Sequence, residues 1–159
     1  MIVWLASYPK SGNTLLRSII STYFFSENGV FNFDLLKNIS QFPDLAYFKG
    51  LNINLSDPSL ILKNYINAQK VINKGDKTIQ FLKTHSAFCK IDGHNFTDLE
   101  NTLGVIYVVR DPRNVVISQS NHFSLSIDES ISRILNNQRY LLDKNVKTFL
   151  GSWNFNYNS

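Results

Sequence analysis

Residues 7–14 read Ser-Tyr-Pro-Lys-Ser-Gly-Asn-Thr and place a lysine, a glycine and four hydroxyl-bearing side chains close together. This loop follows the apolar run 2–6 and precedes residues 15–20, whose apolar spacing predicts a helix. In a strand–loop–helix unit, the loop amides and the helix N-terminus point at a bound anion, and Lys10 adds a full positive charge. The segment therefore predicts a phosphate-binding loop.

The order of residues in this loop differs from that of a Walker A loop, G-x-x-x-x-G-K-[ST], in which the lysine follows the second glycine. Here Lys10 precedes Gly12. Pro9 restricts the residue before it to extended backbone, and Gly12 lacks a Cβ where a phosphate would approach. The loop is a poor match to an ATP or GTP site, and a plain strand-to-helix turn with a solvated lysine is the alternative interpretation.

A second set of polar residues follows the apolar run 105–109, which is typical of a buried parallel strand. Arg110 comes directly after it, at the strand end where open α/β sheets bind ligands, and its guanidinium suits bidentate contact with phosphate. Asp111 and Pro112 predict the start of a helix, on which Ser118 lies about two turns further along. Arg110 and Ser118 could therefore face one anion. Pairing of Arg110 with Asp111 is the alternative.

A third set of polar residues, Lys-Thr-His at 83–85, stands at the end of the segment 78–84. Polar and apolar residues alternate sufficiently in this segment to predict a strand. His85 at the end of a strand could act as a general base, since its unperturbed pKa lies near neutrality. A structural, hydrogen-bonded histidine and a solvated Lys83 are the alternatives.

Taken together, the three sets resemble the PAPS-dependent sulfotransferases, in which PAPS (3′-phosphoadenosine 5′-phosphosulfate) donates a sulfuryl group. The resemblance lies in Y-P-K-S-G-N-T after the first strand, K-T-H after a middle strand, an Arg followed eight residues later by a Ser, and G-S-W at 151–153. It extends from Ile2 to about Trp153. It implies an α/β fold of P-loop-NTPase-like sulfotransferase architecture.

The resemblance implies a role for each matching residue. His85 would be the catalytic base, with Lys10 and Lys83 as catalytic cations, and Arg110 and Ser118 would bind the 3′-phosphate. The 5′-phosphosulfate would be bound by the loop residues Lys10, Ser11, Gly12, Asn13 and Thr14. No metal is required, because Lys and Arg can neutralise the charge.

The implied reaction is transfer of a sulfuryl group from PAPS to a hydroxyl or amine acceptor, with PAP (adenosine 3′,5′-bisphosphate) as the second product. The acceptor could be a small molecule, a carbohydrate or a protein hydroxyl. The Phe- and Tyr-rich stretch 23–47 suits an aromatic acceptor pocket or ordinary core. His94 and His122 should lie away from Lys10. An inactive relative that binds PAP, an interaction domain, and a P-loop kinase or hydrolase remain alternatives.

Two features depart from the family pattern. Cytosolic members place a Trp, which stacks on adenine, where this chain has Leu15. Members also continue beyond G-S-W through another strand, further helices and a basic loop. We therefore expect residues 1–159 to form a single domain that is the N-terminal portion of a sulfotransferase, incomplete at its C-terminus. An unusually reduced member of the family is the alternative.

The composition fits a globular domain that binds an anion. The hydrophobic fraction of 43% and aromatic fraction of 13% argue against disorder. The net charge of +4 favours an anionic ligand, but no Lys/Arg tract indicates nucleic acid. A single Cys89 excludes an internal disulfide. Neither a signal peptide nor an apolar run of membrane-spanning length is evident, which predicts a cytoplasmic protein without a membrane span.

The coarse element pattern predicts a short parallel sheet with helical crossovers, whose carboxyl ends bring Lys10, His85 and Arg110 to one edge. Residues 28–57 are interpreted as loops and short helices. The predicted strands lie near 2–7, 78–84 and 104–109. The predicted helices are 58–73, stopped by Gly75; a short one at 98–102; and one from the capping box at Ser126 to Phe149, stopped by Gly151.

Overall fold

The computed structural model describes residues 1–75, 79–143 and 146–159. The strands are Ile2–Ser7 (β1), Gln80–Thr84 (β2), Lys90–Ile91 (β3), His94–Asn95 (β4), Thr102–Val108 (β5), Tyr140–Asp143 (β6) and Val146–Phe149 (β7). The α-helices are Asn13–Phe25 (α1), Pro58–Lys63 (α2), Tyr65–Gly75 (α3), Pro112–Phe123 (α4), Ile127–Leu135 (α5) and Trp153–Asn158 (α6). Two 3₁₀ helices span Phe33–Asn38 and Leu45–Leu51.

The central sheet has three parallel strands in the order β2-β1-β5. Ala6 of β1 pairs with Thr84 of β2 on one side and with Tyr107 of β5 on the other, so all three strands end at the same edge. This confirms the α/β class with a parallel sheet flanked by helices. Residue 78, included in the predicted second strand, lies outside the described residues.

The position of β5 differs from the expectation. Residues 105–109 were expected to form a buried strand, but β5 is an edge strand of the described sheet, and Val105, Ile106 and Val109 are between 40% and 48% exposed. A continuous apolar run indicates a strand, but it does not distinguish a central strand from an edge strand.

An aromatic core supports the sheet on the side of residues 39–75. Trp4 is fully buried, and its ring lies 5.5 Å from that of Phe42 and 5.0 Å from that of Phe96. Its indole N–H donates to Thr102 Oγ1 at 2.9 Å, which satisfies its polar atom inside the core. Packing around β1 therefore fixes the strand from which the predicted phosphate-binding loop leaves.

The helix predicted at 58–73 is interrupted. The structure has two helices, α2 and α3, separated at Asn64. The Asn64 side-chain amide donates to Leu60 O at 2.8 Å, a local bond of the kind by which Asn competes with the helical backbone pattern. One buried face nevertheless continues across the break, because Ile61, Tyr65 and Ala68 all lie in the core.

The helix predicted from Ser126 to Phe149 is wrong beyond Leu135. The capping box of Ser126 and Glu129 is present and begins α5, but the helix ends at Leu135. Asn136 is extended, and its Oδ1 accepts from Gln138 N at 2.8 Å, a local turn that stops the helix. Further along the chain, β6 and β7 pair as antiparallel strands.

The segment 86–103, in which the sequence analysis places only a short helix at 98–102, contains the small hairpin β3–β4. The turn residues of this hairpin, Asp92 and Gly93, both have positive φ. The Asp-Gly pair is typical of such turns. At 98–101 there is a turn in which Asp98 accepts from Asn101, not a helix.

Residues 28–57 form short helices and loops, as the sequence predicts. Asn32 and Asp44 cap the N-termini of the two 3₁₀ helices, and their side chains accept from backbone N–H groups. Arg17 of α1 donates to Leu36 O and Ile39 O, both at 2.8 Å, and so holds the first 3₁₀ helix against α1. Burial of this guanidinium lowers its pKa.

We predict that Phe48→Ala lowers the free energy of unfolding by about 3–5 kcal/mol, because the ring is fully buried and its removal leaves a cavity. The matched control Phe33→Ala removes a ring that is 78% exposed and should cost less than about 1 kcal/mol. Urea unfolding followed by circular dichroism measures both. Equal losses would contradict the placement of the core.

Candidate active site

A cavity of about 470 Å³ opens at the carboxyl edge of the three-stranded sheet. It brings together all of the predicted site residues except Ser11. Its lining residues are Pro9, Lys10, Gly12, Asn13, Thr14, Gln41, Lys83, His85, Arg110, Ser118, His122 and Phe123. Segments after β1, at the end of β2 and after β5 therefore meet at one place, as expected for ligand sites in open α/β sheets.

The loop after β1 has an unusual backbone. Lys10 has φ 70° and Gly12 has φ 107°, both in the left-handed region. Ser11 N donates to Tyr8 O at 3.2 Å and closes the turn. A Cβ at Gly12 would meet only Val108 at an ordinary 3.8 Å, so the backbone angle rather than lack of space within the chain requires glycine. Left-handed residues within such turns form concave arrays of N–H groups that bind anions.

Helix α1 begins beside the cavity without a side-chain cap. Its N-cap residue is Gly12, which has no side chain to accept from the first-turn amides, and no acidic residue lies in the first turn. Asn13 and Thr14, the first two residues of the helix, line the cavity. The first N–H groups of a helix lack intrahelical acceptors, so this end favours a bound anion.

Arg110 connects the end of β5 to the loop. Its Nη1 donates to Lys10 O at 3.0 Å, and the side chain remains exposed in the cavity wall. The alternative pairing with Asp111 is not observed. Asp111 instead pairs with Arg113 at 2.5 Å and caps α4, and these hydrogen bonds lower the pKa of its carboxyl to about 2.

Helix α4 contributes Ser118 and His122 to the cavity wall. They are four residues apart and so lie on one face of the helix. Ser118 is where the sequence predicts it. The expectation that His122 lies away from the site is wrong, because the same helical spacing that places Ser118 at the cavity also places His122 there. His94 belongs to β4 and does not line the cavity.

His85 has a defined orientation. Its Nδ1 lies 2.7 Å from Ser7 O, and because a carbonyl oxygen only accepts, Nδ1 carries the proton. Nε2 makes no hydrogen bond within the described residues and is the unprotonated nitrogen. Burial lowers the pKa of His85 to about 4, the charges of Lys83 and Arg17 lower it further, and the bond to Ser7 opposes them. The imidazole is therefore neutral at physiological pH.

Lys83 lies in the cavity wall with Gln41, a residue that the sequence analysis did not identify. Lys83 Nζ donates to Gln41 Oε1 at 3.0 Å. Gln41 reaches this position because residues 40–42 pair with the backbone of Lys83 beside β2. Nothing in the local sequence signals this pairing.

Two loop side chains point into the protein rather than into the cavity. Ser11 is buried, and its Oγ has no hydrogen-bond partner among the described residues. The Asn13 amide donates to Leu5 O at 2.8 Å and to Ser7 Oγ at 3.1 Å. The side chain of Asn13 is therefore occupied by β1, and only its backbone amide can serve an anion in this arrangement.

A buried arginine supports the loop from below. Arg139 Nη1 donates to the Tyr8 hydroxyl at 2.6 Å and to Gln119 Oε1 at 3.3 Å. Its guanidinium also lies 5.5 Å from the centre of the Tyr8 ring. The two residues are far apart in the chain and no motif links them, so the contact could not be predicted from the sequence.

The comparison with protein families agrees with this geometry. The profile described as Sulfotransferase domain matches residues 2–157, nearly the whole chain. The chain belongs to the sulfotransferase domain family. This family membership supports sulfuryl transfer as the general class of reaction. None of the curated proteins is significantly similar to the chain.

Three further features of the described residues concern metal binding, membrane spanning and the single cysteine. Among the residues that the structure describes, no three His, Cys, Asp or Glu side chains cluster so as to hold a metal ion. In the same part of the chain, no helix has both the length and the apolar character needed to cross a bilayer. Cys89 is a free, half-buried thiol, and burial raises its pKa.

We predict that the His85 imidazole titrates with a midpoint near pH 4, because burial disfavours its charged form. NMR spectroscopy of ring carbon shifts between pH 3.5 and 8 measures this, with the resonance assigned from a His85→Asn sample. The folded protein takes up this proton less readily than the unfolded chain. Wild type should therefore lose more stability than His85→Asn as the pH falls from about 6.5 to about 4. A midpoint near 6.5 would contradict the observed burial.

Proposed function

We propose that this domain transfers a sulfuryl group from PAPS to a hydroxyl or amine acceptor and releases PAP. The observation that carries the proposal is the cavity shared by Lys10, His85, Arg110 and Ser118. It joins cationic and hydroxyl groups for an anionic donor to a neutral histidine that can accept a proton. Membership in the sulfotransferase domain family supports the same chemistry.

The cavity suits a donor with two separate phosphate groups. At one part of the wall, Lys10 and the uncapped start of α1 would bind the 5′-phosphosulfate. At another, Arg110 and Ser118 would bind the 3′-phosphate, with the guanidinium supplying charge-assisted hydrogen bonds. Its volume of about 470 Å³ falls in the range of small-molecule and cofactor sites.

In the proposed reaction His85 acts at Nε2. It takes the proton of the acceptor hydroxyl while the acceptor oxygen forms a bond to sulfur, and the bond from sulfur to the bridging phosphate oxygen breaks. Lys10 and the loop amides stabilise the negative charge that develops on the departing PAP. Lys83, two residues before His85, contributes a positive charge near the transferred group. No co-reactant other than donor and acceptor is needed.

The residues that line the cavity also indicate which class of acceptor it suits. Gln41, Lys83 and His122 place polar groups on it, and Phe123 is the one Phe, Tyr or Trp among its described lining residues. The aromatic residues of 23–33 do not line it; Tyr23 and Phe31 border a separate apolar groove on α1. These features favour a hydroxyl-rich acceptor, such as a carbohydrate, over a flat aromatic one.

A P-loop kinase or hydrolase is less well supported. Such enzymes hold Mg²⁺ through an acidic side chain near the phosphates. The described lining of the cavity includes no Asp or Glu, and Asp111, the nearest candidate in sequence, is engaged by Arg113 and the start of α4. The order of Lys10 and Gly12 also differs from a Walker A loop.

Isothermal titration calorimetry with PAP and with ATP·Mg²⁺, followed by a transfer assay with PAPS and a panel of carbohydrate and phenolic acceptors, tests the proposal. Binding of PAP and sulfation of an acceptor would support it. Binding of PAP without any transfer would indicate the inactive relative. Binding of ATP·Mg²⁺ in preference to PAP would favour the kinase or hydrolase.

We predict that Arg110→Ala weakens binding of PAP by about 10- to 150-fold, the equivalent of roughly 1.5–3 kcal/mol for a charge-assisted contact. Because Arg110 also holds Lys10 O, a smaller loss should appear for adenosine 5′-monophosphate, which lacks the 3′-phosphate. The difference between the two ligands, measured by calorimetry, reports the phosphate contact. The control Arg113→Ala removes an exposed guanidinium outside the cavity and should leave both affinities unchanged. Equal losses for both ligands in Arg110→Ala would show that the residue is structural.

We predict that His85→Ala keeps the affinity for PAP but lowers the transfer rate by about two to four orders of magnitude, the usual contribution of a general base. His94→Ala is the matched control, because His94 lies on the β3–β4 hairpin outside the cavity, and its rate should match wild type. Single-turnover assays at saturating PAPS measure the effect. A His85→Ala rate close to that of wild type would refute the role.

A further inference from the structure

The side chain of Asn13 connects the start of α1 to the end of β1. Its amide nitrogen donates to Leu5 O at 2.8 Å and to Ser7 Oγ at 3.1 Å, and the residue is only 4% exposed. One –NH₂ group has two hydrogens, so these two bonds use its full donor capacity. Asn13 is thereby fixed against the strand and is not available to turn into the cavity.

Ser7 is the junction between Asn13 and His85. Its Oγ accepts from Asn13 and lies 3.3 Å from His85 Nδ1, while its carbonyl oxygen lies 2.7 Å from the same nitrogen. Ser7 is almost fully buried, so water cannot replace these bonds without disturbing the strand end. The chain of contacts runs from the first residue of α1, through the last residue of β1, to the histidine.

We propose that Asn13 and Ser7 are positioning residues that keep His85 protonated at Nδ1 and present Nε2 to the acceptor, a role that rests on the proposed sulfuryl transfer. The carbonyl of Ser7 selects the tautomer, since it accepts only from an N–H. Asn13 holds that carbonyl in place by fixing the Ser7 side chain and the Leu5 carbonyl on the same strand. Partners of this kind orient a functional imidazole and commonly matter nearly as much as the residue they orient.

The charges around His85 do not select the tautomer. Lys83 on β2 and Arg17 on α1 both disfavour protonation of the ring as a whole. Lys10 and Arg110, from the other walls of the cavity, and the titratable His122 on α4 also share the site. Positive charges oppose the doubly protonated imidazolium, but the choice between the two neutral forms depends on the hydrogen bond at Nδ1. That choice is therefore assigned to Ser7 and Asn13.

The arrangement also links the donor to the base. The backbone amides at the start of α1 would bind the 5′-phosphosulfate, and the side chain of the first helical residue, Asn13, reaches the strand that orients His85. Asn13 thus offers its backbone amide to the donor and its side chain to the strand, and Asn13→Ala removes the second contribution while it keeps the first.

Nitrogen-15 NMR of the imidazole tests the proposal directly, because Nδ1–H and Nε2–H tautomers give different nitrogen shifts. In wild type at pH 7, His85 should be almost entirely Nδ1–H. In Asn13→Ala, both tautomers should appear, kcat should fall by about 10- to 100-fold, and the Kd for PAP should change by less than about threefold. A single Nδ1–H tautomer with wild-type kcat in Asn13→Ala would overturn the proposal.

Asn73→Ala is the matched control. Asn73 also donates through one amide nitrogen to two oxygens, Asn101 O and Asn101 Oδ1, but on α3 outside the cavity. It should lower thermal stability without changing the His85 spectrum or kcat. A similar change of tautomer in this control would show that general loosening, not positioning, is responsible, and would overturn the proposal.

Ser7→Ala provides a second variant if Asn13→Ala does not fold. It removes the Oγ link but keeps the carbonyl, so it should give a smaller fraction of the Nε2–H form than Asn13→Ala and a smaller loss of kcat. An unchanged spectrum and kcat in Ser7→Ala would then overturn the proposal. The tautomer is measured by NMR without any turnover. Failure of the proposed function would appear separately, because the wild-type protein would then neither bind PAP nor transfer a sulfuryl group.

Discussion

Parallel pairing of β1 with both of its neighbours is the constraint on which the site depends. Because β2 and β5 run in the same direction as β1, the segments that carry Lys10, His85 and Arg110 leave the sheet at one edge. Buried Trp4 and its aromatic neighbours hold the central strand in the sheet. The cavity is therefore a product of strand direction and core packing before any individual functional side chain is considered.

The charged side chains among the described lining residues of the cavity are all cationic. Lys10, Lys83 and Arg110 share its wall, and no carboxylate is among the described lining residues. Such an arrangement is unfavourable by itself, since like charges repel, and a multiply charged anion would relieve that repulsion. Burial is the main cause of the lowered pKa that keeps His85 neutral, and the charge of Lys83 adds to it, so one of the groups suited to hold an anion also helps to keep the histidine able to accept a proton.

The sequence predicted the parts of the site that lie next to strand ends. The positions of Lys10, His85 and Arg110 could be predicted, because it is enough to know that each follows a strand and that the three strands run parallel. Gln41 and Arg139 could not, since each reaches the site through long-range pairing that leaves no local pattern. Ser118 was predicted, and the same i, i+4 reasoning applied to α4 would also have found His122. The Asp92-Gly93 turn and the run Asn136-Asn137 were local signals for the missed hairpin and helix end.

The contact between Arg139 and Tyr8 joins residues 131 positions apart in the chain. Closing so long a loop lowers the entropy of the chain, and this cost is offset only once the contact itself has formed. Contacts of this kind therefore form late and slow folding. The loop that carries Lys10 follows β1, the first strand of the described chain, yet its support comes from near the end of that chain. During synthesis, β1 can join its core before the loop beyond it is held in place. We therefore expect the turn that carries Lys10 to be among the last parts of the domain to become ordered.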